Sequence, residues 1–192
     1  MTCQWPHGSV IAMLVPLHVH PLDARSLAEH ATVLDLPVWA PWPLPSGWVV
    51  TGHGHVGTVT RATATVFVCS GPNPLGGTAD MMVVAEEPGT GLGSRFAGLD
   101  TSDPGPGFHQ GTPHAKAMVG GRPTSLWCVP TAASDRAVYA GEAAGRWLWL
   151  VLHPETAGAL MMEEIVLADV RDLGREVELF AYGDRSPWLD DS

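Results

Sequence analysis

Nine histidines and three cysteines are the residues of this 192-residue chain best suited to holding a metal ion. Tetrahedral zinc takes four ligands where it is structural, or three plus a water where it is catalytic. His53-Gly54-His55 would set two imidazoles on one face of a strand, because strand side chains repeat every second residue. A mononuclear site would need a third ligand, and sequence cannot bring up His109, His114 or His153 without a fold. The plainer reading is a pair of turn histidines among Gly52, Gly54 and Gly57; even so, His53 and His55 are the leading metal candidates. Cys3 and His7 form a second pair, which His18 and His20 could complete. The two pairs are separated by an apolar stretch, which is not a ribbon's spacing, so a remnant that no longer binds is the plainer reading there. No cofactor is expected, and zinc is the metal these residue types would take.

Other chemistries are less complete. Gly89-Thr90-Gly91-Leu92-Gly93-Ser94-Arg95 follows a strand, so its amides and Arg95 could cradle an anion. Ser94 stands where the third glycine of a dinucleotide motif belongs, no lysine is present as in a phosphate loop, and Glu86 and Glu87 just before it would repel phosphate. A structural turn is the simpler reading. Glu86 and Glu87 are adjacent, so on a strand they face opposite ways and cannot form a close dyad. Asp169 and Asp172 share a helix face at i, i+3, where a solvated face or a pairing with Arg175 suffices. No Gly-x-Ser-x-Gly elbow occurs. Cys128 has the surroundings of a buried strand thiol; Cys69, at a strand end, is the cysteine with a chance of exposure, but no base or positive neighbour is identifiable. Trp39 and Trp42, clustered with prolines, could line a groove for an extended peptide or sugar, although these and the Trp147/Trp149 pair more simply fill the core.

The elements that must position these groups are mostly strands. Candidates are Trp48 to Gly52, Thr58 to Cys69, Met81 to Glu86, Ala115 to Val119, Thr124 to Val129, Ala137 to Gly141 and Trp147 to His153, divided by Gly- and Pro-rich turns. The alternation from Thr58 to Phe67 predicts one wet and one dry face. Gly120-Gly121 predicts a tight hairpin, and no crossover helix is available for a parallel sheet. Leu22 to Ala31 is a short helix candidate capped by Asp23, with Leu22 and Leu27 placed for a staple. Pro37, Pro41, Pro43 and Pro45 among Trp39, Trp42 and Trp48 form a stiff strap. Met161, Met162, Ile165, Val166, Val170 and Leu173 recur near helical spacing, with Gly174 placed to end a C-terminal helix, and Glu176 to Tyr182 alternates like a strand. The expectation is an α+β domain, predominantly antiparallel, over residues 37–192, with a remnant over 1–36.

Composition excludes more than it specifies. Ten basic against twenty acidic residues leave a net charge of -10, with Lys116 the only lysine. That provides no basic stripe for nucleic acid and no attraction to anionic membranes. The longest apolar run, Val10 to Leu17, holds Pro16 and falls far short of the ~20 residues of a spanning helix. With no basic residue other than histidine ahead of it and three widely spaced cysteines, a reduced cytoplasmic setting is expected.

The strap Val38-Trp39-Ala40-Pro41-Trp42-Pro43-Leu44-Pro45-Ser46-Gly47-Trp48 resembles the signature of an actinobacterial family of unknown function. Ser70 to Gly77 (SGPNPLGG) and Ala85 to Arg95 (AEEPGTGLGSR) extend the resemblance, as do Asp103-Pro104-Gly105, Gly141-Glu142-Ala143, Trp147-Leu148-Trp149 and Asp169-Val170-Arg171-Asp172. Relatives carry an N-terminal zinc-ribbon-like stretch, of which Cys3, His7-Gly8 and His20-Pro21-Leu22 look like the last part. The upstream Cys pair is missing, which implies a misplaced start or a lost ribbon. Some relatives carry a phosphotransacetylase label, but that enzyme class uses a longer parallel α/β chain, a pattern this sequence lacks.

No complete catalytic constellation can be assembled from these pieces. The leading expectation is therefore a non-enzymatic small-ligand or protein-interaction module. Its candidate contacts are Gly89, Gly91, Gly93, Arg95, Trp39 and Trp42. The alternative is an enzyme, either a metal-assisted hydrolase using His53 and His55 or an acyl or phosphoryl transferase using the Gly89 to Arg95 loop.

Overall fold

The computed structural model describes residues 16–190, so Cys3 and His7 lie outside the described residues. Among the described residues, ten strands form a single sheet: β1 (Leu17–Val19), β2 (Trp39–Pro41), β3 (Val49–Thr58), β4 (Arg61–Pro72), β5 (Thr78–Glu86), β6 (Ala115–Val119), β7 (Arg122–Cys128), β8 (Ala137–Ala143), β9 (Arg146–His153) and β10 (Ile165–Asp169). Their spatial order is β1-β3-β4-β5-β9-β8-β7-β6-β10-β2. All neighbours are antiparallel except β6 and β10. Short turns explain this: Gly120 and Gly121, both at positive φ, close the β6–β7 hairpin in the conformation that a two-residue turn requires.

The sheet buries both faces. Phe67, Val83 and Leu150 stand side by side on β4, β5 and β9 and belong to one apolar cluster; Val66, Val84 and Trp149, one residue away, belong to the other. The wet face expected of β4 is therefore dry from Ala64 to Cys69, because other elements cover it. On the first face lie α1 (Ala24–Val33), the Trp-Pro strap and α3 (Val170–Leu173); the second is covered by α2 (Leu92–Ala97) and Leu189. The sheet curls far enough for its last strand, β2, to rest against β4 and β5.

Helix α1 begins as its sequence dictates, with the Asp23 carboxylate accepting from the Ser26 amide at 2.8 Å. It buries Leu27, His30 and Ala31. Leu27, Ala31, Leu34 and Leu36 share a core cluster with Phe67 and Leu150, and β1 pairs with β3, so residues 17–36 are built into the sheet and its main core.

The C-terminal helix expected over Met161 to Leu173 is only short, confined to its last turn. A 3₁₀ segment, Glu155–Met162, leads into β10, and only Val170–Leu173 are α-helical. The β-branched Ile165 and Val166 and the alternation that buries Leu167 suit a strand, and pairing to β6 and β2 on either side outweighs the helical spacing of the methionines. Glu176 to Tyr182 likewise is not an extended strand: Gly174–Leu179 forms a 3₁₀ segment, leaving Leu179 exposed. No described helix is long and apolar enough to cross a membrane.

Candidate metal centre

Two His-x-His segments meet in register at one corner of the sheet. His18 on β1 stands opposite His55 on β3, and the His20 amide donates to the His53 carbonyl at 3.2 Å. Residues facing one another across an antiparallel pair point to the same side, so four imidazoles share one face. Gly54 permits the approach, because a Cβ there would stand 2.7 Å from the His18 carbonyl oxygen. Helix α1 crosses the same face and adds His30 from its buried side.

Three ring nitrogens converge. His55 Nδ1 lies 3.0 Å from His20 Nε2 and 3.0 Å from His30 Nε2, and one nitrogen from each of the three rings falls within 4.8 Å of the others. Zinc–nitrogen bonds of about 2.0–2.1 Å at tetrahedral angles need nitrogens about 3.3 Å apart, and the two separations from His55 are within a few tenths of an ångström of that. His53 is linked differently: its Nδ1 lies 2.9 Å from His30 Nδ1, and its Nε2 is 3.0 Å from the Pro21 carbonyl oxygen.

These imidazoles are held neutral. Burial, reinforced by neighbouring histidines, pushes the His30 pKa down to about 2 and that of His55 down to about 4. His53 is lowered to about 4 by burial, against the opposing pull of its bond to Pro21. Burial and His18 also lower His20, the most accessible of the three converging rings. Neutral imidazole is the form that ligates a metal. His20 and His30 line a surface cleft of about 470 Å³ with Pro21, Asp23, Ser26 and Glu29, which gives the cluster an outlet to solvent.

The other sequence candidates are spread elsewhere. His114 accepts from the Cys128 amide at 3.2 Å, His153 packs edge-on against Trp188, and His109 lies beside Phe108 and Trp127. In the glycine loop, Gly89 and Gly91 take positive φ and Gly93 lies inside α2 against Trp149. The Leu92 and Gly93 amides donate at 2.7 and 3.1 Å to one oxygen of Glu86, which is fully buried with its pKa pushed up to about 7 by burial. Arg95 is in the last turn of α2. Glu87 instead pairs with Arg146 at 3.4 Å, and Asp169 pairs with Arg171 and caps α3. Cys69 is buried and its thiol is raised by burial; Cys128 is half-buried and shifted the same way. Trp39 is core, whereas Trp42, with Pro41, Pro43 and Ile165, lines a separate groove of about 220 Å³.

Sequence reasoning grouped His53 with His55 and His18 with His20, but it joined neither pair to the other and passed over His30. The usable signal was the recurrence of His-x-His, with a further histidine on the apolar side of the one N-terminal helix candidate.

The fold and site together define a mostly antiparallel β domain with a buried histidine cluster at the edge of its sheet. The chain belongs to a family of unknown function (DUF6758), whose profile matches residues 1–189. Comparison with curated proteins gives no match, and comparison with solved structures gives none either.

Proposed function

We propose that the protein binds a divalent transition-metal ion of the zinc class through His20, His30 and His55, with a further coordination position turned toward the adjoining cleft. The observation that carries this reading is the convergence of three neutral ring nitrogens with 3.0 Å contacts and no acid or thiol among them. Imidazole donors suit zinc, copper, nickel and iron, and three protein ligands with one open place is the arrangement of catalytic zinc sites. Zinc held this way lowers the pKa of a bound water to about 7, which makes metal-assisted hydrolysis or hydration the reaction class in view. With two of its amides committed to Glu86, the glycine loop gives the transferase alternative less to build on.

The test is titration of metal-stripped protein with zinc by calorimetry. One ion per chain is expected, and His20→Ala, His30→Ala and His55→Ala should each weaken binding by at least about tenfold, the lower end of what is seen even for groups behind a metal ligand. Equal affinity in all three variants would refute the site.

A second reading, an interaction module, draws on the groove at Trp42, where Trp42, Pro43 and Ile165 face Glu163 and Glu164. On that reading Trp42→Ala abolishes ligand capture and leaves zinc binding unchanged.

A further inference from the structure

His53 is the one of the two sequence-derived metal candidates whose nitrogens are both already engaged within the protein. We infer that His53 is a positioning residue that fixes the tautomer of His30, through a hydrogen-bond chain running from the Pro21 carbonyl to the metal-facing nitrogen. The inference rests on the metal-binding reading above and deepens it by naming what sets the affinity of that site.

Each link of the chain dictates the next. A carbonyl oxygen only accepts, so His53 Nε2, 3.0 Å from Pro21 O, must carry the proton. A neutral imidazole has a single N–H, which leaves His53 Nδ1 as an acceptor. His30 Nδ1, 2.9 Å away, must then be the donor. Neutral His30 therefore presents a bare Nε2, and that nitrogen is the one 3.0 Å from His55 Nδ1. Both rings are almost wholly buried, His53 at 0% and His30 at 3% exposure, so water is not at hand to reverse the order. The acceptor at the head of the chain is itself fixed. Pro21 lies between His20, bonded to the β3 backbone, and Asp23, the cap of α1. If His53 were a ligand, it would forfeit either the Pro21 or the His30 contact inside the protein. Ligating histidines commonly donate their second N–H to a fixed acceptor, and loss of such a partner costs about 10–100-fold in metal affinity.

The experiment combines long-range ¹H–¹⁵N correlation of the histidine rings in metal-free protein with zinc affinities, by chelator competition, of wild type, His53→Leu and His53→Asn. In the His53→Asn variant the introduced amide oxygen occupies the place of Nδ1 and can accept from His30. Expected are the Nδ1–H form of His30 and the Nε2–H form of His53, a loss of about 10–100-fold in His53→Leu, and recovery to within a few-fold in His53→Asn. A His30 ring protonated at Nε2, zinc-induced shifts showing direct ligation by His53, or undiminished affinity in His53→Leu would overturn the inference. The NMR readout needs no variant to fold. If the wild type shows the expected tautomers but takes up no zinc, the metal-binding reading fails and the internal hydrogen-bond chain stands.

Discussion

At the scale of single residues, His30 carries the most. It sits on the buried face of α1 between Leu27 and Ala31, where an apolar side chain would satisfy the core at no polar cost. Instead its two nitrogens reach His53 and His55. With His30 Nε2 bare, that nitrogen offers its lone pair toward the space between the three rings, beside His55 Nδ1 at 3.0 Å. A ligand that binds only the folded state stabilises it, by about 2.7 kcal/mol at a hundred times its dissociation constant. For a domain of this size that corresponds to a rise in melting temperature of roughly 5–10 °C. Thermal unfolding of wild type should show that rise with zinc and lose it with a chelator, and His30→Ala should show no more than about half of it at the same zinc concentration. The residue types of this site were legible in the sequence; their grouping was not. His20 and His55 are thirty-five positions apart, and only the pairing of β1 with β3 makes them neighbours.

At the scale of elements, two local devices hold the parts in place. Gly54 lets β1 lie close on β3, because any Cβ there would press on the His18 carbonyl. Gly54→Ala should displace β1, destabilise the protein by about 1–3 kcal/mol through overpacking, and weaken zinc binding along with it; urea unfolding and zinc titration of the same variant check both. The second device is Glu86, which anchors the start of α2 by accepting two amides. Glu86→Ala leaves those buried donors unsatisfied and should cost roughly 1–3 kcal/mol in urea unfolding, without altering zinc affinity. The short hairpins and α1 could be read from turn glycines and an N-cap because their signals are local. The C-terminal region could not: Ile165 to Asp169 becomes a strand only because β6 and β2 stand ready to pair with it, and a helical spacing of Met161, Ile165 and Val170 says nothing of such partners. The Gly89 to Arg95 loop reads in the sequence first as a structural turn and second as an anion cradle, and two of its amides are taken by this chain's own Glu86.

For the whole molecule, the buried imidazoles predict how stability follows pH. His30, His53 and His55 stay neutral in the folded chain, down to pKa values of about 2, 4 and 4, whereas unfolding returns them to ordinary values near 6.5. Below pH 6.5 the unfolded chain therefore binds more protons, so stability falls as pH is lowered. A histidine lowered to about 4 contributes about 2 kcal/mol of this loss by pH 5. Glu86, raised to about 7, acts in the opposite sense between pH 4.5 and 7, since there the folded chain holds its proton more tightly. Three imidazoles outweigh one carboxyl, so metal-free protein should lose stability from pH 7 to pH 5 in urea titrations. Zinc should add stability at both pH 7 and pH 5, because it binds the folded chain, in which His30 and His55 are already neutral across that range. The acidic composition foretold none of this, because the titration that matters belongs to buried groups. The glycines and prolines did mark the turns of the sheet, but nothing in the composition showed that both its faces are covered.

X-ray absorption at the zinc edge of the protein loaded with one ion per chain reads the proposed centre directly. Three imidazole nitrogens at about 2.0 Å, with one further light ligand and no sulfur, are predicted. A sulfur shell at about 2.3 Å, or fewer than two imidazoles, would contradict a centre built on His20, His30 and His55.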